Sequence, residues 1–151
     1  MASNFWEGSI VKGQIISVFG NMVIAETRGR IVKNSVGFCH RFDGARLLCE
    51  VIRVRDHLAD LQVFEETRGL RVGDEVEFQE KMLSANLGPG LLGQVYDGLQ
   101  NPLPQLAEKA GYFLKPGSSV APLDTQRKWE WVPKAAPGEI LDFTSAVPLK
   151  R

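Results

Sequence analysis

Four constellations in this 151-residue chain hold side chains or backbone patterns that chemistry uses. The first is Gly88, Gly90 and Gly93, which fit G-x-G-x-x-G. That pattern cradles a pyrophosphate only where it follows a buried strand and opens a helix. Residues 80–86 before it do not read as a buried parallel strand, and Gly98 and Pro102 after it disfavour a long helix. A structural turn is the expectation. The second is Cys39, His40, Cys49 and His57, all metal-ligating types. Their spacing matches no common zinc pattern, and on a strand Cys39 and His40 point to opposite faces. Buried free thiols are expected there, and no metal. The third is Glu65-Glu66, a carboxylate pair without a His, Lys or metal cluster to complete an acid/base couple. Asp97-Gly98 is a common turn former. The fourth is Trp129 and Trp131, on one face of an extended segment. Paired indoles stack on bases or, more commonly, fill a core or an interface. No nucleophile–base arrangement emerges, so no catalytic residue is assigned.

These residues hang on two unlike halves. The first 80 residues read as short strands between turns. Residues 10–18 are rich in β-branched side chains, with a turn at Phe19-Gly20-Asn21. Residues 22–26, a weaker run at 31–38, 47–54 and 58–64 follow, and Val76 and Phe78 alternate with Glu75 and Glu77 in the last. Several short strands at regular spacing predict a small closed barrel, whose closure removes exposed edges. In the first strand Ile10, Ile15, Ile16 and Val18 cover both faces. Either a neighbouring subunit covers the outer side, or the strand twists between core and surface.

After residue 80 glycine and proline cluster through 88–104. Pro104 and Gly111 bracket a short helix over 104–110. The segment 88–103 therefore specifies a backbone path rather than a regular element, because glycine opens conformations that proline and other residues refuse. The fold class expected is mainly β: a small closed N-terminal β-barrel, then an irregular Gly/Pro-rich segment with one short helix. The tail from Ser145 is expected to be poorly ordered.

Composition narrows the function. Eighteen basic and eighteen acidic residues cancel. A nucleic-acid binder usually carries a basic excess, so nucleic acid is not an expected partner. The first eight residues have neither a basic region nor an apolar core, and apolar runs fall far below the ~20 residues of a membrane span. A soluble, cytoplasmic chain without direct membrane contact is expected. Two cysteines suggest no disulfide framework.

Six stretches carry a family resemblance. They are CEVIRV at 49–54, LQVFEETRGL at 61–70, VGDEV at 72–76, LGPGLLG at 87–93, DGLQNPL at 97–103 and KWEWVP at 128–133. In this order and spacing they resemble the N-terminal part of the catalytic A subunit of V-type and archaeal-type rotary ATPases, over most of residues 8–140. The resemblance implies a six-stranded barrel over 1–79, and a connector at 80–112 leading into a nucleotide-binding domain. It further implies the start of an A-subunit insertion, a partial β element, over 113–151. It implies a ring of alternating A and B subunits with the barrels as a crown. The chain departs from the family in one decisive way. It has no Gly-Lys dipeptide, hence no phosphate-binding loop G-x-x-x-x-G-K-[ST]. Residues 141–151 leave the family pattern, and Asn101 stands where the family often has arginine.

No catalytic, nucleotide or metal site is therefore carried over, and no cofactor is expected in this chain, although the parent subunit would use Mg-ATP. Gly88, Pro89, Gly90, Gly93, Asp97, Gly98, Pro102, Trp129 and Trp131 are the candidate structural and interface residues. The expected function is assembly within a truncated A subunit whose parent couples ATP turnover to proton or sodium transport, peripheral to the membrane. The expected partners are B-type subunits or a second copy of the chain. The alternative is a stand-alone small-barrel binding module without ATPase activity.

Overall fold

In the computed structural model, residues 10–111, 113–130 and 138 are described; Trp131 and the tail from Ser145 lie outside them. Six strands come first: β1 (Val11–Phe19), β2 (Met22–Thr27), β3 (Ser35–His40), β4 (Arg46–Arg55), β5 (Leu58–Val63) and β6 (Glu75–Met82). They close into an antiparallel barrel in the order β1-β2-β5-β4-β3-β6, with β6 returning to β1. Every strand thus has two neighbours, and no backbone edge is left open. One helix, α1 (Leu103–Ala110), follows. The chain forms two compact units. One joins residues up to Ser84 with Ala110–Ser118; the other joins Ala85–Lys109 with the residues from Ser119 onward.

The barrel core is aliphatic apart from Phe78 and two cysteines. Ile15, Val23, Leu47, Val51, Leu61, Val63, Val76 and Phe78 are almost fully buried. Strand alternation explains most of this: Leu47, Cys49 and Val51 point in from β4, and Ala59, Leu61 and Val63 from β5. Two positions break the alternation. Ile15 faces Ala25 across the β1–β2 pair, but the next partners are Ser17 with Ile24 and Val18 with Val23. Ile16 is the extra residue of a β-bulge. The bulge lets Ile15 and Val18 both meet the core and turns Ile16 outward, 40% exposed. The mixed pattern of the first strand is therefore a bulge. β4 repeats the device: Val51 faces Leu61, Arg53 faces Asp60, and Ile52 is the extra residue.

Small side chains make room for closure. A Cβ on Gly37 would lie 2.8 Å from the Glu77 backbone oxygen and 3.4 Å from Cys49 Sγ. Only glycine lets β3 approach β6 so closely. Cys39 and Cys49 are fully buried free thiols with sulfurs 3.8 Å apart. The contact with Cys39, reinforced by burial, pushes the Cys49 thiol far up, which keeps it protonated and unreactive.

Two strands differ from their sequence reading. The run at 31–38 yields a strand only from Ser35, because Asn34 takes a left-handed φ of 66° and ends the preceding turn. The last strand continues through polar residues to Met82, which pairs with Ser35. The described part of 113–130 is turns and irregular backbone, with an isolated bridge position at Glu130.

On the outer face Asp60 is nearly buried between two arginines. Arg55 Nη2 donates to Oδ1 at 2.6 Å and Arg53 Nε donates to Oδ2 at 2.8 Å. The Arg55 hydrogen bond, helped by Arg53, outweighs burial and holds the carboxyl below its ordinary range.

Two substitutions test closure. Leu61→Ala should cost about 2–5 kcal/mol through the cavity it leaves. Gly37→Ala should cost about 1–3 kcal/mol by forcing β3 from β6. Urea unfolding followed by tryptophan-independent far-UV signal measures both. A neutral Gly37→Ala would mean the strands are not in close contact there.

Candidate functional site

The Gly/Pro-rich segment is organised by one carboxylate. Asp97 Oδ1 accepts the backbone N–H of Leu99 at 2.9 Å and of Asn101 at 2.7 Å, while Oδ2 accepts Asn101 Nδ2 at 2.9 Å. Asp97 N–H donates to the Asn101 carbonyl at 3.1 Å, and Tyr96 bridges Pro102. The chain folds back on itself as a tight loop in which Asp97 takes the backbone N–H groups of Leu99 and Asn101 and the Asn101 amide. Gln100, with a left-handed φ of 62°, clamps Asn86 from both sides: Nε2 donates to its carbonyl at 2.8 Å, and Oε1 accepts its N–H at 2.7 Å. Asn101 is buried and accepts Val120 N–H through Oδ1 at 3.0 Å. Burial works against a charge on Asp97. The hydrogen bonds from the Asn101 side chain, Asn101 N–H and Leu99 N–H overcome it and hold the carboxyl below its usual range.

The glycines divide by role. Gly90 has a φ of 99°, and a Cβ there would sit 3.2 Å from Cζ2 of Trp129. Gly88 lies against Leu123, at 3.1 Å by the same measure, whereas Gly93 and Gly98 border open space. Pro89-Gly90 and Leu92-Gly93 are turns, and no helix opens after Gly93. The G-x-G-x-x-G run thus lacks the helix N-terminus that would hold a pyrophosphate. Pro102 is buried and opens α1, accepting the N–H of Leu106 at 2.9 Å. Trp129 is half-buried, and Arg127 stacks 4.3 Å above its ring. With Pro89, Gly90, Tyr96, Pro102 and Pro122 it lines a cavity of about 410 Å³. The structure therefore brings together Pro89, Gly90, Pro102 and Trp129, and places Asp97 and Gly98 in the adjoining loop. Trp131 lies outside the described residues.

The other constellations stay apart. Cys39 is in the barrel core, while His40 turns outward with its Nε2 3.0 Å from Glu77 Oε2. His57 sits at the β4–β5 turn, 3.7 Å from Glu26. Among the described residues no three His, Cys, Asp or Glu side chains converge on a point that would hold a metal ion. Glu65 and Glu66 follow the end of β5 and take different partners: Glu65 Oε2 accepts the Gly117 N–H at 2.6 Å, and Glu66 pairs with Arg68 at 3.0 Å. Sequence reasoning missed Gln100 and Asn101. The signal was the Asp-Gly-x-x-Asn spacing, which puts an amide within reach of the carboxylate across a tight turn. Among the described residues no helix is long and apolar enough to cross a membrane.

The comparisons with known proteins agree with this geometry. Residues 8–80 match the family model of the β-barrel domain of the ATP synthase alpha/beta family. The V-type ATP synthase alpha chain of Treponema denticola is 49% identical over 140 residues, 91% of this chain and 24% of that protein. V-type ATP synthase alpha chain 1 of Treponema pallidum is 54% identical over 145 residues, 92% of this chain and 24% of its own. The Borreliella afzelii alpha chain is 52% identical over 120 residues, 80% and 21% respectively. The chain thus spans about a quarter of the length of the curated relatives it matches.

Asp97 gives a pH test. Its folded pKa is depressed, so the ionised form stabilises the loop. That contribution is complete above the unfolded value near about 4 and is lost as pH falls through the lower folded value. Amide exchange at Leu99 and Asn101 should follow this course, and Asp97→Ala should lower their protection by about 1–3 kcal/mol at neutral pH. Unchanged protection in the variant would remove Asp97 from its organising role.

Proposed function

We propose that this chain, whose residues 8–80 match the β-barrel domain of the ATP synthase alpha/beta family, serves as a non-catalytic, assembly-forming portion of a V-type ATP synthase alpha chain. The carrying observation is a closed six-stranded barrel at the family's barrel position in a sequence with no phosphate-binding loop. A closed barrel with a packed aliphatic core is a rigid body, suited to fixing the positions of neighbours rather than to moving with a substrate. The residues present do not fit Mg-ATP. Among the described residues nothing offers the nest of backbone amides followed by lysine that holds β- and γ-phosphates, and the glycine run opens into turns.

In this reading the barrel docks beside B-type subunits, or a second copy, at the periphery of a membrane-bound complex on its cytoplasmic side. The complex as a whole couples ATP hydrolysis or synthesis to transport of protons or sodium ions. The candidate residues around Gly90, Pro102 and Trp129 would shape the connector that follows the barrel and the surface it presents to the rest of the subunit.

Two measurements test the reading. Calorimetry with Mg-ATP should give no specific heat, and no ATP should be hydrolysed; one site per chain with roughly micromolar affinity would overturn the non-catalytic assignment. Sedimentation across a wide concentration range should show association with a B-type subunit or with itself. A strict monomer that ignores the partner would overturn the assembly role and favour a stand-alone binding module.

A further inference from the structure

The loop between β2 and β3 carries three cations, Arg28, Arg30 and Lys33, all exposed and none in an ion pair among the described residues. It is also a held loop. Asn34 sits at a left-handed φ of 66° and donates its N–H to the Val51 carbonyl at 2.8 Å. Ser35 Oγ donates to the Val32 carbonyl at 2.6 Å and Ser35 N–H to the same oxygen at 3.2 Å. A non-glycine residue in that conformation costs energy and persists only where its surroundings impose it. The result is that the backbone at the end of the loop, residues 32–35, is tied to β4 through the Val51 carbonyl.

Between this loop and β4 runs a groove of about 560 Å³. Its floor is aliphatic: Ile31, Val32, Ile52 and Val54. Its rim holds Arg30, Lys33 and Arg53, and no carboxylate lines it. Arg53 gives its Nε to Asp60 yet leaves its side chain 66% exposed. A second depression of about 280 Å³ shares Arg30, Val32 and Lys33 and extends the surface past Met82, 61% exposed, toward Lys81 and Glu80. The two form one continuous track on the barrel wall. Val32, 48% exposed, and the half-buried Ile31, Ile52 and Val54 lie beside Arg30 and Lys33, which form no ion pair among the described residues; apolar surface flanked by uncompensated charge of one sign marks a surface that a partner covers.

We propose that this track docks an extended segment of a partner protein in which carboxylate side chains alternate with aliphatic ones. Charge decides the sign: Arg30 and Lys33 stand on the first groove without an ion pair among the described residues, Arg53 is already matched by Asp60, and no carboxylate lines that groove, so its uncompensated charge is positive and fits an acidic partner. Shape and floor decide the class. A nucleic acid would also meet the cations, but it needs planar side chains for its bases, and no aromatic residue lines either depression. An extended peptide places successive side chains on opposite sides, so one set reaches the aliphatic floor while the backbone and the other set run along the cationic rim. Only the identification of the partner as a fellow subunit rests on the assembly reading above; the chemistry of the groove stands apart from it.

The test uses the 151-residue chain, isotopically labelled, and three probes. These are a short synthetic peptide of alternating Glu and Leu, its Lys/Leu counterpart, and a single-stranded oligothymidylate. The Glu/Leu peptide should shift the amides of residues 30–33, 52–54 and 80–82. Arg30→Glu combined with Lys33→Glu should weaken it by about tenfold or more, as should a rise in salt from roughly 0.05 to 0.3 M. Both side chains are exposed, and an unchanged far-UV spectrum and thermal midpoint verify the fold of the variant. The proposal is overturned by any of four results: no shifts on the track, equal binding of the Lys/Leu peptide, tighter binding of oligothymidylate to the same amides, or shifts there that depend on protein concentration alone. Capture of the double variant by a B-type subunit, with peptide binding lost, would detach the groove from that contact and leave the assembly reading standing. Peptide binding without any capture would do the reverse.

Discussion

Ring closure of six short strands is the constraint from which the rest of the barrel follows. An open sheet of this length would expose two rows of unpaired N–H and C=O groups, whereas a closed one satisfies them all. Closure demands that the strands tilt and that their register be staggered. The chain meets this demand with local devices rather than with long elements. Bulges at Ile16 and Ile52 insert one residue each, and Gly37 removes the side chain that would keep β3 from the β6 backbone. Once the ring is closed its interior is too narrow for anything but side chains, and valine, leucine, isoleucine, alanine, cysteine and one phenylalanine, Phe78, fill it.

The second unit is held by other means. Few of its described residues are buried; Asn101, Pro102 and Leu106 are the main ones. Its path is set by directed hydrogen bonds from Asp97, Gln100 and Asn101 to backbone groups that no strand or helix partners. A buried backbone amide must find an acceptor, and here one carboxylate serves three donors. The two units thus balance the same entropy cost differently, the barrel with apolar area and the loop unit with polar satisfaction.

Much of the barrel was legible in the sequence because burial on one face imposes period-two patterning. The runs at 10–18, 22–26, 47–54 and 58–64 each coincide with a strand to within a residue or so. The weak run at 31–38 was misplaced at its start, since Asn34 shifts the chain into a turn by a backbone conformation that no apolar pattern signals. The end of β6 was hidden because residues 79–82 pair beyond the core, where polar side chains are as suitable as apolar ones. At the loop unit the Asp-Gly turn was readable. The reach of Asn101 to Val120 and of Gln100 to Asn86 was not, because those partners lie on other segments, and one-dimensional spacing carries no such distance. A net charge of zero likewise concealed the track beside β4: Asp60 neutralises Arg53 and Arg55, while Arg28, Arg30 and Lys33 have no such counterpart.

The bulges link closure to the outer surface. In β1 the core takes Ile15 and Val18, and in β4 it takes Val51 and Val54, in each case three residues apart instead of two or four. A regular strand would have sent one of each pair outward and one polar neighbour inward. The extra residue restores the inward set, and it does so by turning its own side chain out. In both strands that residue is isoleucine. These two outward isoleucines are thus by-products of the register needed to close the barrel. Ile16 is 40% exposed, and Ile52 falls beside the loop at 30–33 and becomes part of a floor with Ile31, Val32 and Val54. The same local irregularity that completes the interior of the barrel therefore supplies the apolar half of its most distinctive exterior feature.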